Sequence, residues 1–234
     1  MSAQQADQRY TGVDNLDVMQ DAVNYNRFLL NTVRDLAPPS GRVLDFGAGG
    51  GQFAVPMTQL GFDVTALEPD DRLRSRIAAA GVRAIATPDE LTDGSLAYAY
   101  TLNVLEHIED DVGALRQLFA KLASGGRLLI YVPAFPVLFT SMDAKVGHMR
   151  RYTRRRLTAV VTASGFAIER VMYVDSLGFF ATLAFRAIGD RGGEINPRAL
   201  LLFDRLVFPL SRILDYAVHP WFGKNLLLVA RKAG

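Results

Sequence analysis

Apolar and polar positions alternate in two rhythms along the chain. Short apolar runs at Val43–Phe46, Asp63–Leu67, Val82–Ala86, Ala97–Leu102 and Arg127–Val132 read as strands. Between them, Gln52–Leu60, Asp70–Ala80 and Val112–Ala123 read as helices, the last with Leu115, Leu118, Phe119 and Leu122 on its apolar side. Gly81 and Ser124-Gly125-Gly126 stop two of these helices, and Pro56 is tolerable near a first turn. Strands and helices alternating at these lengths predict an α/β fold, a parallel sheet with helices on both faces. Upstream, Val13–Leu36 has helical spacing and ends at Pro38-Pro39-Ser40-Gly41, whereas residues 1–12 are expected to be loose.

The second half is less regular. Pro133–Gly147 is an irregular stretch leaving the fifth strand, long enough to suggest a lid or substrate wall. Thr153 is set to cap a helix that runs to Ser164 and stops at Gly165, and Phe166–Val174 follows as a sixth strand. Residues 175–224 read as a helical insertion: an apolar helix near Leu177–Ile188, a polar break at Gly189–Asn196, and a second helix near Pro197–Val218 that Pro209 would kink. Asn225–Arg231 is a seventh strand. The expected organisation is one domain over 1–234, with a helical cover (1–40), a ligand-binding core (41–174), the insertion (175–224) and the last strand (225–231).

Chemistry concentrates where the first strand breaks into Gly47-Ala48-Gly49-Gly50-Gly51 ahead of a helix. Such a turn lets a ligand approach the backbone and offers it free N–H groups. Glu68 closes the second strand, about 20 residues on, where an acid accepts hydrogen bonds from ribose hydroxyls. The dinucleotide fingerprint G-x-G-x-x-G fails, because Gln52 stands where the third glycine is needed. Asp45, two residues before the first glycine, is positioned to meet a ligand ammonium group.

Val43–Gly51, Leu67-Glu68-Pro69-Asp70, Asn103-Val104-Leu105-Glu106-His107-Ile108 and Gly125–Ile130 together closely resemble, in order, the motifs of class I S-adenosylmethionine-dependent methyltransferases. The resemblance implies a Rossmann-like seven-stranded sheet, six strands parallel and strand seven antiparallel. It implies S-adenosylmethionine as cofactor, leaving as S-adenosylhomocysteine. It implies a cofactor site of Asp45, Gly47, Ala48, Gly49, Glu68, Pro69 and Asn103, with Asp89 toward the adenine and Tyr25 of the N-terminal helix toward the methionine end. Asp89 is imperfectly spaced for its role, and Ala97 stands where the family often has an early strand-four aspartate.

Methyl transfer to a hydroxyl gains from a general base. His148 is the first candidate and His107 the second, and a histidine titrates near neutrality. The Gly147-His148 pair and the helix after it have a weaker similarity to ubiquinone-pathway O-methyltransferases. His219 reads as structural.

Composition narrows the rest. The 234 residues are half hydrophobic, carry a net charge of +2 and include no cysteine, which excludes disulfides, thiolate metal sites and cysteine nucleophiles. No histidine–carboxylate group has ligand spacing along the chain, so no metal is expected. Met1–Gln8 is polar, and no run reaches the roughly 18 to 20 apolar residues of a membrane span. The expected location is cytoplasmic, with peripheral contact at the inner membrane face left open. The run Lys145, Arg150, Arg151, Arg154, Arg155 and Arg156 reads either as a solvated helix start or as a surface for phosphate or anionic lipid. Phe179, Phe180, Leu183 and Phe185 suit an interfacial face, core packing or a dimer contact equally. A nucleic-acid acceptor is disfavoured, because no Asn/Asp-Pro-Pro-aromatic motif follows strand four.

The expected function is O-methylation of a small-molecule, glycan or lipid-linked acceptor by a monomer or homodimer. The alternatives are a natural-product N- or C-methyltransferase, a nicotinamide-dependent oxidoreductase and a non-catalytic cofactor-binding partner protein.

Overall fold

The structure, a computed structural model, describes residues 18–188 and 196–233. The start of the expected Val13–Leu36 helix and most of the polar break at 189–196 lie outside the described residues. Seven strands form one sheet: β1 (Arg42–Phe46), β2 (Val64–Leu67), β3 (Arg83–Ile85), β4 (Leu96–Leu102), β5 (Leu122–Pro133), β6 (Phe166–Val174) and β7 (Asn225–Lys232). Their spatial order is β3-β2-β1-β4-β5-β7-β6. β1 to β5 are parallel, and β7 runs antiparallel to both β5 and β6, so β6 runs with the other five. This is the expected arrangement of six parallel strands and one antiparallel.

Helices cover both faces because the strands bury side chains on both. On one face, α4 (Asp111–Lys121) and α6 (Arg154–Ala163) bring Leu115, Leu118, Leu157 and Val161 against Leu128, Ile130, Leu226 and Leu228. On the other, α1 (Val23–Leu36), α2 (Ala54–Gln59) and α3 (Asp71–Ala79) bring Leu29, Val33, Met57 and Ile77 against Val43, Tyr98, Tyr100 and Tyr131. The period-two alternation along β4 and β5 divides their residues between the two cores.

Local caps fix most helix starts. Asp70 accepts from the Arg72 and Leu73 amides, Asp110 from Gly113 and Thr153 from Arg156. α1 has no cap of its own. Its first amides, Asn24 and Tyr25, donate instead to the two oxygens of Asp204, each at 2.9 Å. Asp204 comes from the insertion, which contains α7 (Ser176–Ile188), α8 (Pro197–Leu202), a π turn (Phe203–Val207) and α9 (Phe208–Val218). The irregularity expected at Pro209 therefore takes the form of a π turn just before it, and that turn carries the buried Asp204. Asp215 does the same for α7, accepting from the Asp175 and Ser176 amides at 2.9 Å.

Three features differ from the sequence reading. The helix expected over Val13–Leu36 is broken at Asp21 and Ala22, so that α1 begins at Val23. β5 starts at Leu122 rather than Arg127, with a register irregularity against Leu96–Tyr98. The stretch after β5 contains a single 3₁₀ turn (Pro136–Leu138) and a short helix, α5 (Ser141–Lys145), capped by reciprocal contacts between Thr140 and Asp143.

β6 ends, and β7 begins, at the carboxyl edge of the parallel strands, so the insertion emerges at the edge where open α/β sheets bind ligands. Asp204→Ala should therefore destabilise the protein by about 2 kcal/mol, since it removes a charged acceptor from two helix-start amides. Denaturant unfolding measures the loss, and hydrogen exchange should accelerate at Asn24 and Tyr25.

Candidate active site

Backbone geometry clusters at that edge. Gly47, Gly49 and Gly51 have φ of +81°, +53° and +84°, which side-chain-bearing residues rarely adopt. A Cβ on Gly47 would lie 2.5 Å from Val104, so the turn is packed against the end of β4. Asn103, Phe135 and Asp175 are the non-glycine residues with positive φ among those described, and they stand at the ends of β4, β5 and β6 respectively. Backbone strain of this kind gathers at functional sites.

The structure brings most of the expected cofactor residues together. Ala48 and Gly47 donate their amides to the Leu67 carbonyl at 2.9 Å, which ties the turn to β2. Glu68 reaches back across it: Oε2 accepts from Gly49 N–H at 2.7 Å and Oε1 from Asp70 N–H at 3.0 Å. Burial raises the Glu68 pKa, and these two amides oppose the rise. A carboxylate offers about four lone-pair directions, so two hydrogen bonds leave capacity for a ligand's hydroxyls. Pro69, exposed, follows Glu68 directly. Tyr25 and Asn103, far apart in sequence, meet at the edge, the Asn103 amide donating to the Tyr25 hydroxyl at 3.3 Å. Burial pushes the Tyr25 phenol up to about 12.

Asp45 and Asp89 differ in exposure. Asp45 is buried beneath the turn, and its Oδ2 has no hydrogen-bond partner. Burial pushes its carboxyl up to about 7, the Tyr100 side chain opposing and the Glu68 charge adding to the rise. An orphaned buried carboxylate below a glycine cradle fits a cationic ligand group. Asp89 instead stands exposed in a 3₁₀ turn after β3, which Glu90 closes by accepting from the Ala86 amide at 2.8 Å.

The two candidate bases also meet. His107 and His148 have ring centroids 4.7 Å apart at 73°. His148 Nδ1 lies 2.7 Å from Asp143 Oδ1, and His148 Nε2 lies 3.6 Å from Glu106 Oε1. Asp143 is fully buried and also receives a fork from Arg151, Nε and Nη2 each at 2.9 Å, besides the Thr140 amide at 2.8 Å. Burial alone would lift the Asp143 pKa, but the His148 and Arg151 contacts hold it well below the usual carboxylate range. His107 Nδ1 lies 3.2 Å from the Gly147 carbonyl. Burial, then the neighbouring His148, lowers the His107 pKa to about 4. Glu106 is wholly buried with neither carboxylate oxygen hydrogen-bonded, and burial pushes it up to about 8.

Sequence reading missed the buried pair Asp143 and Arg151, and it grouped Arg151 with the basic run, of which Arg154, Arg155 and Arg156 do form an exposed helix start. Arg151 is buried on Asp143, and Arg150 pairs with Asp111 at 3.0 Å. Arg154 donates to the Val171 carbonyl at 3.0 Å, and Arg156 lies over the Tyr152 ring. Arg151 alone is internal; Lys145, Arg154, Arg155 and Arg156 are exposed, the last three in the first turn of α6. The spacing Asp143-x₄-His148-x₂-Arg151 was the available signal, but it has no periodicity to single it out.

The Asp45 environment predicts a pH dependence. Unfolded Asp45 ionises near pH 4 and folded Asp45 near pH 7, so its burial costs nothing below about pH 4 and most above pH 7. Asp45→Asn should therefore raise the melting temperature more at pH 8 than at pH 4.5 in a thermal scan; equal gains would refute the unpaired carboxylate.

Comparison with known proteins agrees with this geometry. A family model described as a methyltransferase domain matches residues 19–171, well over half the chain. A ubiquinone biosynthesis O-methyltransferase of Caulobacter sp. (strain K31) is 31% identical over 99 residues, 38% of this chain; the match spans 39% of that relative's length. Among solved structures, a possible histamine N-methyltransferase of Thermotoga maritima superposes with a TM-score of 0.65 at 18% identity, covering 94% of each chain. A Burkholderia thailandensis 1,6-didemethyltoxoflavin-N1-methyltransferase, with S-adenosylhomocysteine bound, superposes with a TM-score of 0.59 at 19% identity, covering 94% of this chain and 83% of that one. The family match sets aside the nicotinamide alternative. The chain belongs to the methyltransferase-domain family, and it shares its fold with solved S-adenosylmethionine-dependent methyltransferases.

Proposed function

We propose that this enzyme methylates a hydroxyl on a small-molecule, saccharide or lipid-linked acceptor, the hydroxyl proton being handled at His148. S-adenosylmethionine supplies a methyl group on a sulfonium, so the C–O bond forms as the C–S bond breaks and sulfur leaves as a neutral thioether. The protein has to align the acceptor, exclude water and dispose of a proton. The contact that carries the oxygen reading is His148 Nδ1 to Asp143 Oδ1 at 2.7 Å. An ionised carboxylate only accepts, so it keeps the proton on Nδ1 and leaves the Nε2 lone pair toward the site. A neutral amine acceptor already carries a lone pair and has less need of an imidazole oriented in this way. His107, packed on His148, is the second candidate for the same task.

On the cofactor side, we assign the free lone pairs of Glu68 to the ribose hydroxyls and Asp45 to the ammonium group. Gly47, Ala48 and Gly49 form the backbone cradle beside Pro69, Tyr25 and Asn103 flank the methionine end, and Asp89 lies toward the adenine.

A lipophilic acceptor and peripheral membrane contact are supported by the insertion. Leu202, Leu206, Leu210, Ile213 and Tyr216 recur at helical spacing along α8, the π turn and α9, each more than half exposed. Phe180, Leu183 and Phe185 of α7 are exposed as well. Among the described residues of the insertion, Arg186, Arg198 and Arg205 are exposed, whereas Asp204 and Asp215 are buried in capping contacts. An apolar stripe flanked by cations is the pattern that binds anionic bilayers. No described helix is long and apolar enough to cross a membrane.

Incubation with methyl-labelled S-adenosylmethionine and a lysate of the source organism, followed by phase partition, tests the acceptor. Label is expected in the organic phase; label confined to the aqueous phase would overturn the lipophilic part and leave a soluble hydroxyl acceptor. Glu68→Ala should weaken S-adenosylhomocysteine binding about 10- to 100-fold by calorimetry, as the loss of charge-assisted hydrogen bonds implies.

A further inference from the structure

We propose that Glu106, His107 and His148 form a divalent-cation site at the ligand edge, where the acceptor hydroxyl binds the cation and loses its proton to water. Each of the three side chains offers a ligand atom, and these atoms all lie within 4.8 Å of one another. Glu106 and His107 come from the turn after β4, and His148 from the segment after α5, so the fold joins what the sequence separates by about 40 positions.

The surroundings of the three residues point the same way. A metal-bound imidazole usually donates its second nitrogen to a carboxylate or a backbone carbonyl, which fixes the tautomer and aims the ligating nitrogen. Both histidines have such a contact: His148 Nδ1 on Asp143 Oδ1 at 2.7 Å and His107 Nδ1 on the Gly147 carbonyl at 3.2 Å. In each ring Nε2 is thereby the nitrogen assigned to a ligand. Glu106 supplies the independent observation. It is 0% exposed, and neither of its oxygens has a hydrogen-bond partner among the described residues. A carboxylate buried without donors is costly, and a cation provides what is missing. The simpler account, an imidazolium of His148 bridging Asp143 and Glu106, leaves Nε2 at 3.6 Å from Glu106 Oε1, longer than a hydrogen bond.

Two imidazoles and one carboxylate favour a first-row cation such as Zn²⁺ or Mn²⁺ over Ca²⁺, and three protein ligands leave positions open for the acceptor oxygen. A cation-bound hydroxyl is far more acidic than a free one. This inference rests on the proposed hydroxyl acceptor, and it changes His148 from proton acceptor to ligand.

The test is calorimetric titration of chelator-stripped enzyme with ZnCl₂ and, separately, MnCl₂, alongside S-adenosylhomocysteine titration of the same samples. The expected result is one saturable cation site per chain. Affinity should fall at least tenfold in Glu106→Gln and in the more accessible His107→Ala, with S-adenosylhomocysteine binding retained as evidence of folding. No saturable binding of either cation, or equal binding in whichever variant keeps its S-adenosylhomocysteine affinity, would overturn the site. Label transfer that persists in excess chelator would also overturn it while leaving the methyl-transfer reading intact. Cation binding that is lost in the variants, with no label transferred from cation-loaded enzyme, would support the site and count against the proposed acceptor.

Discussion

The buried carboxylate of Asp143 holds the histidine side of the ligand edge together. It takes two guanidinium donors from Arg151, the backbone and hydroxyl of Thr140, and Nδ1 of His148. Five donors saturate a carboxylate. Arg151 is buried too, so neither partner can lose the other without leaving a bare charge in the interior, at a cost of about 3–5 kcal/mol. The same contacts close α5, fold the chain back toward β4 and set the orientation of the His148 ring. Geometry that a loop would leave loose is thereby fixed by one ion pair.

The insertion is secured by related chemistry. Asp204 and Asp215 cap α1 and α7 across long sequence separations, and the amides they satisfy would otherwise have no local cap. α1 carries Tyr25 to Asn103 at the ligand edge, so the cap on α1 also positions a side chain proposed to flank the cofactor. Using both aspartates internally leaves exposed arginines among apolar side chains on the outside. The stability of the insertion and the character of its surface thus have a common origin.

The cofactor half was legible because its signals are local. Val43 to Gly51 is strand, turn and helix start in one stretch, and Glu68 closes the next strand; parallel pairing of β1 with β2 then brings the two together. The parallel sheet followed from alternation of elements, and its seven strands with the last antiparallel from the resemblance carried by four motifs. The acceptor half was less legible because its contacts are distant. Nothing in the run Arg150 to Arg156 says that Arg151 turns inward and Arg155 does not. Adjacent Glu106 and His107 have no metal-ligand spacing until the chain returns with His148. α5 is too short for periodicity to announce it, and the early start of β5 is a register irregularity that hydrophobic pattern does not encode.

Satisfied and unsatisfied carboxylates divide the site in an informative way. Glu68 already accepts from Gly49 and Asp70, the backbone it would share with a ribose, so a ligand adds hydrogen bonds without breaking any. Asp45 and Glu106 are different: both are buried and both have oxygens without donors. They belong to neighbouring strands, Asp45 paired in register with Tyr100 of β4 and Glu106 just beyond the end of β4. A fold tolerates such costs where function requires them. Each orphaned carboxylate marks a place where positive charge would relieve it, an ammonium-bearing ligand above Asp45 and a cation or proton beside Glu106. The methyl group would pass from the glycine cradle on the Asp45 side to the acceptor on the Glu106 side. On the proposed reading the two unsatisfied acids flank that path, and the stability each costs is recovered when a proton or a positive partner neutralises it.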